Sequence, residues 1–146
     1  MRLTREADYA VRLVVDLAEN GSSSTVTVAG RQSIPAAVAR RVVRRLSVAG
    51  VVRTTVGAAG GVRLARPADE VNLREVVEAI EGPIALNACQ AVPSECDRKS
   101  TCTAHLVWDE IQATIVEKLE HTTAADVAER KRASAVPCQP DRKQRS

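Results

Sequence analysis

The sequence predicts a mainly α protein of the α+β class: a winged helix-turn-helix with a two-stranded wing and a long C-terminal dimerisation helix. Three observations predict this fold. Three amphipathic helical segments come first, two short strand-like segments joined by a glycine-containing turn follow, and basic and acidic residues are segregated along the chain. The order helix, helix, helix, hairpin is that of a winged helix-turn-helix, in which the hairpin is the wing.

The first three helices follow from apolar spacing and from helix-end signals. Residues 4–19 predict an amphipathic helix with Thr4 as its cap, and a short second helix is expected to end near Ile34. Pro35 suits the first position of a third helix, over residues 35–50. One face of this third helix is apolar, and four arginines form the opposite face.

The wing and the next helix are read from turn and cap residues. Residues 51–55 and 61–65 predict two short strands, joined by the glycine-containing segment VGAAG. Asn72 is the expected cap of a helix that ends at Gly82. A winged helix-turn-helix domain is therefore expected over residues 1–82.

The remaining chain divides into three parts. Residues 83–103, rich in Pro, Ser and Asp, predict a loop, and residues 104–128 predict the dimerisation helix and a short turn capped by Thr123 and Asp126. The long helix has an apolar stripe made by Ala104, Trp108, Ile111, Ile115 and Leu119. Residues 129–146 have no periodicity and many basic side chains, so we expect a disordered tail.

The charge distribution indicates a nucleic-acid-binding half. No Asp or Glu occurs from Asn20 to Pro67, whereas the stretch from Asp69 to Asp126 is predominantly acidic. A basic surface without carboxylates is typical of phosphate binding. The basic half also has no aromatic residue for stacking, which favours double-stranded DNA over RNA. A solvated helix face is the alternative. The candidate DNA-binding residues are Arg31, Arg40, Arg41, Arg44, Arg45, Arg53 and Arg63.

The chain has no apolar run long enough to span a membrane, and charges interrupt its N-terminal apolar positions. We therefore expect a cytoplasmic protein without a membrane partner. Cytoplasmic thiols more often bind metal or react with oxidants than form structural disulfides. No nucleotide-binding glycine loop or acid–base cluster is visible, so an enzyme is not expected.

The segment from Cys89 to His105 holds three of the four cysteines and one of the two histidines. Its spacing, C-x6-C-x5-C-x2-H, fits poorly to compact zinc sites and better to an iron–sulfur cluster. The fourth ligand could be His105, a carboxylate, Cys138 or a group from another chain. The alternatives are unrelated thiols, a zinc-stabilised DNA-binding protein without sensing, and a cluster-containing electron carrier.

Residues 1–128 resemble the Rrf2 family of winged-helix transcriptional regulators. The resemblance rests on MRLTREADYAVR, IPAAVARRVVRRLSVAGVV, GAAGGVRL and the three cysteines before the long helix. It implies a homodimeric repressor that binds a pseudo-palindromic operator. It also implies an iron–sulfur cluster, 4Fe–4S favoured and 2Fe–2S possible, that senses nitric oxide, redox state or iron–sulfur status.

The resemblance also implies the ligands. The three cluster cysteines of the family fall on Cys89, Cys96 and Cys102. In its NsrR-like branch the fourth ligand is an aspartate of the partner subunit, which corresponds to Asp8, and in its IscR-like branch it is a histidine, which corresponds to His105. We favour Asp8, although its position four residues before an arginine also suits a helix ion pair. In this family the third helix enters the DNA major groove. Here that helix has Arg40 and Arg41 where many members have Glu or Gln, so the operator sequences of those members cannot be assumed for this chain.

Overall fold

A computed structural model describes residues 3–134, which form six α-helices and one two-stranded antiparallel sheet. The helices are α1 (Arg5–Asn20), α2 (Thr25–Gln32), α3 (Ala36–Val48), α4 (Leu73–Glu81), α5 (Ala104–Glu120) and α6 (Ala124–Ser134), and the strands are β1 (Val52–Thr55) and β2 (Gly61–Leu64). A single turn of 3-10 helix lies at Ala88–Gln90. This order confirms the predicted winged helix-turn-helix.

The helix boundaries follow the predicted caps closely. The hydroxyl of Thr4 accepts a hydrogen bond from the third residue of α1, and Asn72 forms a reciprocal capping box with Glu75. Helix α2 ends before the predicted Ile34, because Ser33 adopts a left-handed conformation with φ of 53°. That residue turns the chain from α2 into α3.

Helix α1 is the central element of the core. It packs against α2, α3, α4 and α6, and its inward face is aliphatic. Because the chain has no Phe, valine, leucine, isoleucine and alanine fill the interior. One carboxylate of the same helix, that of Asp16, is also buried and only 1% exposed. The core therefore fixes the relative positions of α1, α2 and α3.

The wing is a short hairpin anchored to the segment after α1. Arg53 lies directly opposite Arg63 in the antiparallel register. Ser23 adds an isolated bridge to Val62, with backbone hydrogen bonds of 2.8 and 3.0 Å. Glycine is needed at Gly61, since a Cβ there would lie 2.8 Å from the carbonyl oxygen of Ser23. This bridge holds the wing beside the helices.

The C-terminal part departs from the prediction. The expected short turn is the start of helix α6, which continues to Ser134, beyond the boundary at which disorder was predicted. The helix is stabilised by packing on α1 and by an ion pair of 2.7 Å between Lys131 and Glu19, neither of which periodicity could reveal. The rest of the predicted tail, with Cys138, lies outside the described residues. Within residues 3–134 no helix is long and apolar enough to cross a membrane.

Candidate nucleic-acid interface and metal centre

Arg31, the first of the seven predicted DNA-binding arginines, has a partner inside the protein. Its Nε lies 3.0 and 3.2 Å from the two carboxylate oxygens of Asp16, and the side chain of Gln32 donates a third hydrogen bond of 2.8 Å. Burial raises the pKa of Asp16, but the hydrogen bonds from Arg31 and Gln32 outweigh burial, and the pKa lies below its usual value. Arg31 therefore holds α2 against α1.

Arg41 and Arg45 also have carboxylate partners. Both pair with Glu6 of α1, and Arg45 donates a further hydrogen bond of 2.5 Å to the carbonyl oxygen of Ile80 near the end of α4. The hydrogen bond from Arg41 holds the pKa of Glu6 below its usual value, so this carboxylate remains charged at neutral pH. One flank of α3 is thus bound to α1 and α4.

The other four predicted arginines, Arg40, Arg44, Arg53 and Arg63, are exposed. Within residues 3–134 no carboxylate forms an ion pair with any of them. The pairing of Arg53 with Arg63 places two like charges directly opposite each other, an arrangement that disfavours the free wing. A polyanion bound along the wing would neutralise both charges.

A polar cleft of about 450 Å³ lies between the end of α3 and the wing, and Ser47, Arg53, Thr54 and Arg66 contribute to its walls. Arg66, which also pairs with Glu75, and Ser47 were not among the predicted site residues. The carboxylate-free stretch that contains both residues was the available signal, but it could not indicate which side chains border the cleft.

The three clustered cysteines lie together. They line a cavity of about 160 Å³ whose other walls are Asn87, Ala88, Lys99, His105 and Trp108. Cys89 is buried, whereas Cys96 and Cys102 are half-buried, and all three thiols are free. No three metal-binding side chains within residues 3–134 converge on the position of a single ion. The thiols thus border an open space.

Polar side chains tie the cysteine loop to α5. Gln112 accepts a hydrogen bond of 3.1 Å from the backbone of Leu86, and Gln90 donates one of 3.2 Å to Asp109. Gln90 follows Cys89 directly and is itself buried. Helix α5 is therefore the scaffold of the cavity. Sequence reasoning missed these glutamines, because their spacing to the cysteines has no recognisable pattern.

The two candidates for a fourth ligand are placed differently. His105 lines the cavity, and its Nδ1 is hydrogen bonded to the carbonyl oxygen of Cys102. Because a carbonyl oxygen only accepts, this contact places a proton on Nδ1 and leaves Nε2 as the ring atom that could bind a metal. Asp8 is exposed on α1, 3.4 Å from Arg12, and is not among the cavity walls of its own chain.

Comparison with known proteins identifies one family. The family model of Rrf2, described as an iron-dependent transcriptional regulator, matches residues 3–130. The chain is 32% identical over 130 residues to the protein rrf2 of Nitratidesulfovibrio vulgaris, and the match covers 87% of each chain.

Two solved structures show the same fold. IscR of T. potens superposes with a TM-score of 0.75 at 22% identity, covering 94% of this chain and 93% of that one. CymR, the global cysteine regulator of B. subtilis, superposes with a TM-score of 0.72 at 23% identity, covering 89% and 98%.

Proposed function

Because the chain belongs to the Rrf2 family of transcriptional regulators, we propose that it is a homodimeric repressor whose operator affinity depends on an iron–sulfur cluster at Cys89, Cys96 and Cys102. It is a DNA-binding regulator rather than an enzyme, as its family is. Our proposal goes beyond membership of the family in three points, which are the cluster, its response to nitric oxide or redox state, and the dimer.

The observation that carries this proposal is the common cavity of the three cysteines. Thiolates are soft ligands, which suit iron–sulfur clusters, and three of them border an open space of about 160 Å³. A structural zinc site would instead need four ligands converging on one point. When bound, a cluster supplies a centre that reacts with oxidants and small gases. The open arrangement of the thiols, rather than the donor types, therefore favours a cluster over zinc.

The fourth ligand distinguishes two versions of the site. His105 of the same chain already lines the cavity, while Asp8 of the partner subunit would reach the cavity only across a dimer interface. A carboxylate is a weaker ligand for cluster iron than a thiolate. We retain Asp8 as the proposed ligand for a gas-sensing site, with His105 as the alternative.

A connected set of contacts links the cavity to the DNA-binding domain. Helix α5, which holds the cysteine loop, ends in Glu120, and this carboxylate lies 3.1 Å from the guanidinium of Arg74 in α4. The backbone after α5 is joined to the start of α4 by a 2.9 Å hydrogen bond from Leu73 to Thr122. A change in the loop can thus be transmitted through α5 to the helix that packs on α3.

The surface of α5 supports the proposed dimer. The helix has no buried residue, and its exposed apolar side chains include Val107, Trp108 and Ile111, which share one face. Solvent-exposed apolar faces of this kind are typical of subunit interfaces. Because Trp108 also borders the cysteine cavity, pairing through α5 would place the cluster site beside the interface.

The test is purification without oxygen, followed by iron and sulfide analysis and visible spectroscopy. We expect a coloured protein, loss of colour in each of Cys89→Ala, Cys96→Ala and Cys102→Ala, and retention in Cys138→Ala. A colourless protein with stoichiometric zinc would refute the cluster. Comparison of Asp8→Ala with His105→Ala then identifies the fourth ligand: the variant whose cluster decays faster has lost it.

A further inference from the structure

The four arginines of α3 form two pairs with different surroundings. Arg41 and Arg45 lie against α1, where both pair with Glu6, and Arg45 also bonds to the carbonyl of Ile80. Arg40 and Arg44 lie one helical turn apart and are exposed without an ion pair within the described chain. Only the second pair has its guanidinium groups available without breaking an existing contact.

The composition of α3 limits which bases it can read. The helix AAVARRVVRRLSV contains no Asp, Glu, Asn or Gln. Adenine is read in the major groove mainly by Asn or Gln, cytosine by a carboxylate, and guanine by Arg, which donates two hydrogen bonds to its O6 and N7. The base-specific hydrogen bonding that α3 can make is therefore dominated by guanine. The exposed methyl group of Ala37 could add an apolar contact to thymine.

The spacing of the two free arginines sets the spacing of the bases. Residues four apart lie about 6 Å apart along a helix axis, and successive bases are separated by about 3.4 Å. A helix that crosses the groove at an angle shortens the projected distance. Arg40 and Arg44 thus reach bases that are one or two steps apart, on either strand.

We propose that each operator half-site contains two guanines, one or two base steps apart, which Arg40 and Arg44 read separately. Arg41 and Arg45 contribute positive charge but no base preference, because Glu6 holds them to α1. This inference rests on the proposed function, in that it assumes that α3 enters the major groove.

The test is binding selection from a pool of randomised duplexes, using the full-length protein purified without oxygen and, in parallel, the same protein after removal of bound metal. We expect guanine to be enriched at two positions of each half-site. Arg40→Ala should relax one position and Arg44→Ala the other, each by about 5- to 150-fold in discrimination. Arg41→Ala, the matched control on the same helix, should leave both preferences intact.

A conservative variant separates base reading from charge. Arg40→Lys keeps the charge for phosphate but replaces the planar paired donors with an ammonium group, which can still donate to guanine. It should therefore weaken the guanine preference less than Arg40→Ala does, while retaining the salt dependence. Selection of a specific site without paired guanines, or relaxation caused by Arg41→Ala, would overturn this inference and leave the proposed function intact. Failure of both preparations to select any sequence would overturn both.

Discussion

Replacing Asp16 with Asn tests whether the buried carboxylate holds the helix-turn-helix together. The substitution preserves the shape of the side chain but removes its charge. In the native protein the two carboxylate oxygens accept hydrogen bonds from the guanidinium of Arg31 and from the amide of Gln32. An asparagine would present its own NH₂ group to one of these donors, leaving that donor without an acceptor.

The expected loss follows from burial and from the partners. Removing one member of a buried ion pair costs about 3–5 kcal/mol, because the remaining charge is left without compensation. The side chain of Asp16 is 1% exposed, but that of Arg31 is 35% exposed and keeps part of its hydration. We therefore expect a loss at the lower end, about 3 kcal/mol, which corresponds to a Tm lower by roughly 6–12 °C for a domain of this size.

The assay is chemical denaturation of the metal-free protein at neutral pH, with Asp8→Asn as the control. Asp8 is on the same helix, but its pair with Arg12 is exposed, so the control should change the free energy of unfolding by less than about 0.5 kcal/mol. If Asp16→Asn is as stable as the wild type, the buried carboxylate does not organise α1 and α2, and our assignment of Arg31 as a structural residue fails.

Three further outcomes are expected. Because the pKa of Asp16 lies below its ordinary value of 3.8, its charge contributes to stability above about pH 4, and this contribution is lost as the pH falls through the lowered pKa. The difference in the free energy of unfolding between wild type and Asp16→Asn should therefore narrow on acidification below about pH 4. A difference independent of pH would contradict this. Glu6→Gln should release Arg41, while Arg45 keeps its hydrogen bond to the carbonyl of Ile80. Binding to non-specific DNA should become stronger, and the slope of log K against log salt should steepen by about 0.9 for each phosphate gained; an unchanged slope would show that Glu6 does not restrain Arg41. Ile111→Glu should shift the protein from dimer to monomer in sedimentation, with Glu110→Gln as the exposed control, and a persistent dimer would exclude this face of α5.

The fold was largely predictable because its signals are local. The caps at Thr4 and Asn72, the glycine-containing turn of the wing and the apolar spacing of α1 all act within a few residues, and the structure has each of them where it was expected. The extent of α6 was not predictable, since that helix depends on packing against α1 and on the ion pair between Lys131 and Glu19, which are far apart in sequence.

The candidate site was predictable in composition but not in arrangement. Clustering in sequence pointed to the three cysteines, and they do share a cavity. Charge counting grouped the arginines of the basic half together, although Arg31, Arg41 and Arg45 have partners within the protein. Their partners, Asp16 and Glu6, precede the carboxylate-free stretch, so the linear charge pattern could not show that these two carboxylates fold back onto it.

The acidic residues of α1 suggest how a change at the cysteine site could reach DNA. Glu6 binds α3, Asp16 binds α2 and Glu19 binds α6, whereas Asp8 pairs only within α1. Three of the four carboxylates thus make α1 a rigid support for the helix-turn-helix, and the fourth remains exposed. If Asp8 bound an iron atom of the partner subunit's cluster, that contact would act on α1, the helix that packs against both α2 and α3. If Asp8 has this role, Asp8→Ala should make operator affinity the same with and without cluster, whereas His105→Ala should keep the difference in operator affinity between the cluster-bound and metal-free forms.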